Sequence, residues 1–422
     1  MGELAINGGN PTRTKKVMSW PFYGTEEETR VAEVVRSGKW WWGENVREFE
    51  AKWAEYHGAK HGITCSNGTI GLILALRALG ITAGDEVIVP AYTFIASATA
   101  VTGINAIPVF ADVELETANI DFESAEKLVT EHTRAIMVVH FAGLPVDMDK
   151  AKAFAKKHNL ALIEDACHSW GSQWNGKGTG ALGDIGSFSF QFSKNITAAE
   201  GGIILTDDDE LAKIARSYTH VGRLEDKPWY DHYLLSGNNR MTEMQAAILL
   251  AQLERLPAQV LKREENAAAL EAELATIPGI HFPARPAAVT RRSWHMYLFR
   301  YNAEEFGGLP RAKFLEALQA EGVPCSGGYI HPVYKNPAFQ TLNASPRRED
   351  KALADLCNSR GVRYDQVVCP NAEKLCNEQM VWMPHPMLLE EKEDMVQIAD
   401  AFRKVQQHQS ELAGEAVGAA AK

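Results

Sequence analysis

Short apolar runs alternate with amphipathic stretches through the first half of the chain. The runs Gly62–Cys65, Val87–Pro90, Ala106–Phe110, Ala135–Val139, Leu160–Ile163, Gly186–Gln191 and Ile203–Thr206 are rich in Val, Ile and Phe. Runs of this length and type predict strands buried on both faces. Between them, Thr25–Ser37, Val46–His57, Ile70–Leu79, Ile95–Thr102, Ser124–Val129, Met148–His158 and Asp209–Tyr218 repeat apolar residues at helical spacing. Thr25 suits an N-cap, Glu26 to Glu28 suit the first turn, and Gly38 suits the stop. Strands alternating with helices predict parallel crossovers and a doubly wound α/β sheet.

The rhythm changes after Leu256. Glu243–Leu256 reads as a helix that Pro257 ends, and Val260–Ala275 reads as a second helix. A strand at His295–Tyr301, a helix at Arg311–Glu321, an extended stretch at Val323–Ile330 and helices at Ala372–Asn377 and Lys392–Gln407 then suggest a smaller α/β domain. The expected organisation is an extended surface segment over 1–24, a large domain over 25–256, a small C-terminal domain over 257–410 and a frayed tail over 411–422.

Composition narrows the class. The chain has 422 residues, 45% of them apolar and 23% charged, which suits a packed globular protein. A net charge of −11 with no basic tract argues against nucleic-acid binding. No apolar run reaches the roughly 18 residues needed to span a bilayer, and the start lacks a signal-peptide core, so a cytoplasmic protein is expected. Six cysteines without a CxxC pair read as reduced, buried thiols rather than metal ligands.

Candidate chemistry centres on Ile163 to Gly202. Glu164 and Asp165 stand at the end of an apolar strand, and Lys194 follows a second one. An acid at a ring nitrogen and a lysine at an aldehyde are what pyridoxal phosphate (PLP) chemistry requires. Ser66-Asn67-Gly68-Thr69 joins a strand to a helix, either as an anion site or as a plain helix cap. Phe94, at a strand's C-terminal side, either stacks on a planar ring or packs. Trp40-Trp41-Trp42 cannot all face one core; they line a pocket or a subunit contact, or wedge a loop. Tyr329, His331, Tyr334 and His385 are further candidates for shaping a pocket.

Ser66 to Thr69, GDEVIVPAYTF (Gly84 to Phe94), EDACHS (Glu164 to Ser169), FSFQFSK (Phe188 to Lys194), EGG (Glu200 to Gly202) and NNRMTEMQAA (Asn238 to Ala247) occur in this order. Together, over roughly residues 18 to 405, they resemble the DegT/DnrJ/EryC1/StrS family of PLP-dependent sugar aminotransferases. The nearest branches are cyclitol aminotransferases that use glutamine with scyllo-inosose-type ketones, and 3-amino-5-hydroxybenzoate synthases. The resemblance implies PLP-dependent transferase fold type I: a large domain with a mostly parallel seven-stranded sheet, a smaller C-terminal α/β domain, and a homodimer with shared active sites. It implies ping-pong transfer of an amino group from glutamate or glutamine to a keto-sugar or keto-cyclitol. A dehydratase/aromatase of the aminohydroxybenzoate type and a non-catalytic PLP-binding sensor are the alternatives.

Carried over by position, Lys194 would form the Schiff base and Asp165 would pair with the pyridine nitrogen. Phe94 would stack on the ring, and Gly68, Thr69 and Ser189 would hold the phosphate. His168 would stand near the ring hydroxyl, unless it is a satisfied buried histidine. Asn238 would reach the partner subunit's phosphate. The chain departs from the family pattern at Cys167, where alanine is usual, at Ala199, where glycine is usual, and at Asn239, where an aromatic is common. Lys194 argues against relatives that carry histidine there and act as sugar dehydratases.

Overall fold

In the computed structural model, which describes residues 2–413, seven strands form one sheet. They are β1 (His61–Cys65), β2 (Glu86–Pro90), β3 (Ile107–Ala111), β4 (Thr133–Val139), β5 (Ala161–Asp165), β6 (Ile185–Ser189) and β7 (Gly202–Thr206). Their order is β1-β7-β6-β5-β4-β2-β3, with β7 antiparallel to both neighbours and the other pairs parallel. The strands are apolar on both faces because helices cover both faces.

The strand expected to end at Ile163 continues through both acids, which pair with Gly186 and Ser187 of β6. Period-two alternation sends their side chains to opposite faces. Glu164, fully buried, accepts hydrogen bonds from the Gly180, Leu182 and Gly183 amides at 2.7, 2.6 and 2.6 Å and meets His140 Nε2 at 2.8 Å. Burial pushes its pKa up, but His140 and these amides outweigh that and hold it below the usual carboxylate value. Asp165 faces the other way.

Three expectations need correction. Gly24, not Thr25, caps the first helix, and the Glu27 carboxylate accepts the Gly24 N–H at 3.0 Å. The break at Pro257 does not occur: Glu243–Leu274 is one helix of 32 residues. Proline removes one helical hydrogen bond, at about 3 kcal/mol. Leu253, Leu256 and Val260 are buried around it, and each buried side chain of this kind contributes roughly 1.5–3 kcal/mol. Nor does the N-terminal segment simply lie over the surface. Leu4 joins the C-terminal core, and the buried Arg13 pairs with buried Glu390 at 2.6 Å. Glu321 accepts from the Ala5 and Thr12 amides at 2.8 Å and from Lys404 at 2.9 Å.

A three-stranded antiparallel sheet, Ile280–His281, Met296–Tyr301 and Met380–Pro384, organises the C-terminal part. The long helix serves two cores. Leu249, Leu250 and Leu256 pack with Val46, Phe49 and Trp53, whereas Ala267, Leu270 and Leu274 pack with Tyr297, Phe299 and Phe402. We propose that this helix joins the large and small domains, with the division at 256/257 inside it. Of the expected tail, Leu412 is buried in the second core, and 414–422 lie outside the described residues. Among the described residues, no helix is long and apolar enough to cross a membrane.

His57 closes the helix Glu44–His57, fully buried. Its Nε2 accepts the Gly171 N–H at 3.1 Å, so Nδ1 carries the proton toward the Trp53 carbonyl at 3.2 Å. Burial lowers its pKa to about 4. A histidine with a folded pKa below its unfolded value of about 6.5 stabilises the fold above pH 6.5, and loses that contribution as pH falls toward 4. Unfolding free energy should therefore decline across that window. His57→Gln should flatten the decline by on the order of 3 kcal/mol, read from denaturant melts at pH 7.5 and pH 4.

Candidate active site

A cavity of about 1060 Å³ lies at the carboxyl ends of the parallel strands, where open α/β sheets bind ligands. Val139 ends β4 there, Asp165 ends β5 and Ser189 ends β6. Gly68, Thr69, Phe94, Asp165, His168, Ser189 and Lys194 all line it, so seven of the eight expected site residues converge. Asn238 does not line it. It is exposed and forms an isolated antiparallel bridge with His220.

Asp165 is held on both oxygens. Ser97 donates to Oδ2 at 2.7 Å, and the Cys167 amide donates to Oδ1 at 3.1 Å. Thr93 lies 2.9 Å from Ser97, extending the chain of hydroxyls. Ser97 had no sequence signal, because a serine in a helix's first turn looks the same whether or not an acid faces it.

Lys194 is half-buried, with Nζ 5.7 Å from the centre of the Trp170 ring. Lost hydration lowers its ammonium pKa, and Cys167 and Asp165 pull the other way. A lowered pKa is what a lysine needs to act as nucleophile and base. His168 is buried, its ring 4.5 Å from that of His295. Burial first, and Lys194 second, push its pKa well below the usual histidine value. Its Nδ1 is a buried polar atom without a partner among the described residues.

Asn67 settles the turn after β1. Its side chain caps the helix Gly68–Ala78 by accepting the Ile70 N–H at 2.9 Å. A Cβ on Gly68 would stand 2.7 Å from Ser189 Cβ and 3.0 Å from Cys167 Sγ. Glycine therefore lets the helix start press against the two segments that carry Ser189 and Asp165. First-turn amides lack intrahelical partners and favour an anion.

These groups fit PLP. The helix start and Ser189 suit its phosphate, Asp165 a protonated ring nitrogen, and Lys194 its aldehyde. The orphaned His168 Nδ1 is available to a polar ring substituent.

The remaining candidates divide. Tyr329 and His385 line the cavity; His331 and Tyr334 do not. Tyr334 is buried and its hydroxyl donates to Glu373 at 2.5 Å, so the turn that carries it serves packing. Trp41 and Trp42 line a separate cleft. Arg47 sits 4.5 Å over Trp42 and Arg240 5.2 Å over Trp41. Ala199 has φ of +66°, a conformation that costs an L-residue roughly 1–2 kcal/mol and that glycine would adopt freely. His295, Trp382 and Trp170 complete the surroundings, and sequence reasoning missed them as site residues.

Comparison with known proteins agrees with this geometry. A Micromonospora echinospora protein provisionally named L-glutamine:3-amino-2,3-dideoxy-scyllo-inosose aminotransferase is 38% identical, over 96% of this chain and 97% of its own. The L-glutamine:2-deoxy-scyllo-inosose aminotransferase of Streptomyces fradiae is 36% identical over 97% and 99%. The crystal structure of 3-amino-5-hydroxybenzoic acid synthase superposes with a TM-score of 0.81 at 32% identity, covering 93% of this chain and 99% of that one. Residues 22–362 match the DegT/DnrJ/EryC1/StrS aminotransferase family. A lysine and an acid meeting in one cavity beside a glycine-opened helix start thus stand within a sequence that matches over nearly its whole length, and the chain belongs to the DegT/DnrJ/EryC1/StrS aminotransferase family.

Proposed function

We propose that this PLP-dependent aminotransferase moves an amino group from glutamine or glutamate to the ketone of an uncharged cyclitol, in the cytoplasm and as a homodimer. The observation that carries the reading is the lining that this chain gives the cavity, in which Lys194 is the only lysine or arginine among the described residues. A nucleotide-linked sugar brings a diphosphate, whose burial needs opposing cations. A cyclitol brings hydroxyls, which Gln191, Ser193, Glu200, Ser326 and Tyr329 on the cavity wall can bond. The named relatives at 36–38% identity act, by their names, on scyllo-inosose-type ketones with glutamine, which supports both partners.

PLP, when bound, supplies an electron sink for the donor's α carbon. Asp165 keeps the ring nitrogen protonated and is itself aimed by Ser97 and the Cys167 amide. Lys194 Nζ, with its pKa lowered, would take the α proton of the donor and hand it to the cofactor, and would move a proton the opposite way, onto the acceptor's carbonyl carbon, in the second half-reaction. His168, neutral through burial, offers a hydrogen bond without adding charge. Phe94, 56% exposed and lining the cavity, would cover the ring. Elsewhere on the chain Trp40, Trp41, Trp229, Tyr230 and Leu235 are exposed too. A second copy covering such a surface would bring Asn238 to the other subunit's phosphate.

Lys194→Ala should abolish the cofactor absorbance above about 400 nm and lower glutamine turnover by about 10⁴-fold; retained turnover would remove the proposal. Ser97→Ala deletes one hydrogen bond to a carboxylate, worth about 1.5–3 kcal/mol, and should cost ten- to a hundredfold in kcat/KM while leaving cofactor bound. A coupled assay should show glutamine-dependent amination of scyllo-inosose-type ketones and none of nucleotide-linked keto-sugars. Release of water with an aromatic ultraviolet product from an aminoshikimate-type substrate would instead mark the aminohydroxybenzoate reaction.

A further inference from the structure

Lys194 sits outside regular secondary structure, in the irregular stretch between β6 and β7. Its own amide bonds only locally, to the Gln191 carbonyl at 2.9 Å. A nucleophile must nevertheless be held to within about half an ångström. Three successive residues here are each gripped from a different distant element. The His385 ring, just past the strand Met380–Pro384, meets the Ser193 carbonyl at 3.2 Å. The Trp20 indole, from the N-terminal segment, donates to the Lys194 carbonyl at 3.1 Å. Asn195 donates to the Ser293 carbonyl at 3.0 Å and meets His295 Nδ1 at 3.0 Å. None of these grips comes from the large sheet.

The first two grips are coupled. Trp20 packs edge-on against His385, with ring centres 4.5 Å apart. Arg263, fully buried in the long helix, donates to His385 Nδ1 at 3.2 Å and lies 5.7 Å from the Trp20 ring centre. Its Nε and Nη1 have no partner among the described residues. A buried guanidinium without an acid is costly, so its remaining contacts indicate its use. Because an arginine can only donate, His385 Nδ1 must accept, and the imidazole proton is forced onto Nε2, the nitrogen facing the Ser193 carbonyl. The arginine thereby fixes both the tautomer and the direction of the grip.

We infer that Trp20 and His385, locked by Arg263, are positioning residues that set where Lys194 stands, so that the N-terminal segment and the C-terminal part of the chain fix the nucleophile. This rests on the reading of Lys194 given above. Trp20→Phe removes the indole N–H and keeps a ring against His385 and Arg263. Hydrogen–deuterium exchange on the cofactor-free protein should then be about fivefold faster over residues 191–198, with the rest of the chain unchanged. With PLP restored, kcat for the donor half-reaction should fall about tenfold, and the pH midpoint of the absorbance above 400 nm should move. His385→Leu should behave alike, and His385→Gln, which can still accept from Arg263 and donate to Ser193, should recover most of the loss. Exchange and kcat of Trp20→Phe within twofold of the parent would overturn the inference, as would faster exchange spread over the whole chain. Trp20→Phe decides the matter if His385→Leu does not fold. Turnover by Lys194→Ala would instead strike the underlying reading, whatever the exchange data show.

Discussion

The buried carboxylate of Glu164 is the interaction on which the site's geometry rests. A charge with no exposed surface is tolerated only when its lone pairs are filled. Three amides of one loop and His140 fill them. The loop so gathered leads directly into β6, and β6 carries Ser187, Ser189 and the approach to Lys194. His140 stands just past the end of β4, so the same anion ties the ends of β4 and β5 to the entry into β6. Asp165, one residue on, inherits this order and faces the cavity with two hydrogen bonds already made. One acid assembles the frame and its neighbour is presented to the chemistry.

Much of this was legible in the sequence. All seven strands of the sheet announced themselves as short apolar runs, and Met148–His158 and Lys392–Gln407 match the observed helices end to end. The acid, the lysine and the glycine turn at the helix start stood out because they recur in this order in a known family, and they line one cavity. What was hidden depends on contacts far apart in the chain. Ser97 is an ordinary helical serine until β5 brings Asp165 against it. Trp20 and Lys194 are 174 residues apart, a distance no local pattern encodes. Pro257 misled because a local rule was applied to a helix held on both sides by tertiary packing. The tryptophan run misled less, since a pocket was among its readings, but its cleft is lined with arginines and stands apart from the cavity.

The cavity is sparing in charge. His168, His295 and His385 lie in a row, and burial pushes all three well below the usual histidine pKa. They therefore contribute hydrogen-bonding atoms without competing with Lys194 as cations. A protonated histidine in that row would repel the lysine and oppose any cationic state it must pass through. Neutral imidazoles let the lysine and Asp165 dominate the local field, which suits a reaction that moves one proton among few atoms.

The long helix does more than join two cores. Gln252 exchanges hydrogen bonds with both the amide and the carbonyl of Thr197 at 2.8 Å, and Arg263 reaches His385. These two helix residues are eleven positions apart, almost a whole number of α-helical turns, so they share a face about 16 Å apart. The segment with Lys194 is thus measured against a ruler whose graduations are helical turns. Inserting or deleting one residue between Gln252 and Arg263 would swing one grip about 100° away from the other. Length variation in this family member is therefore barred from that stretch of the helix, although it lies well away from the reacting atoms and looks, residue by residue, like ordinary packing.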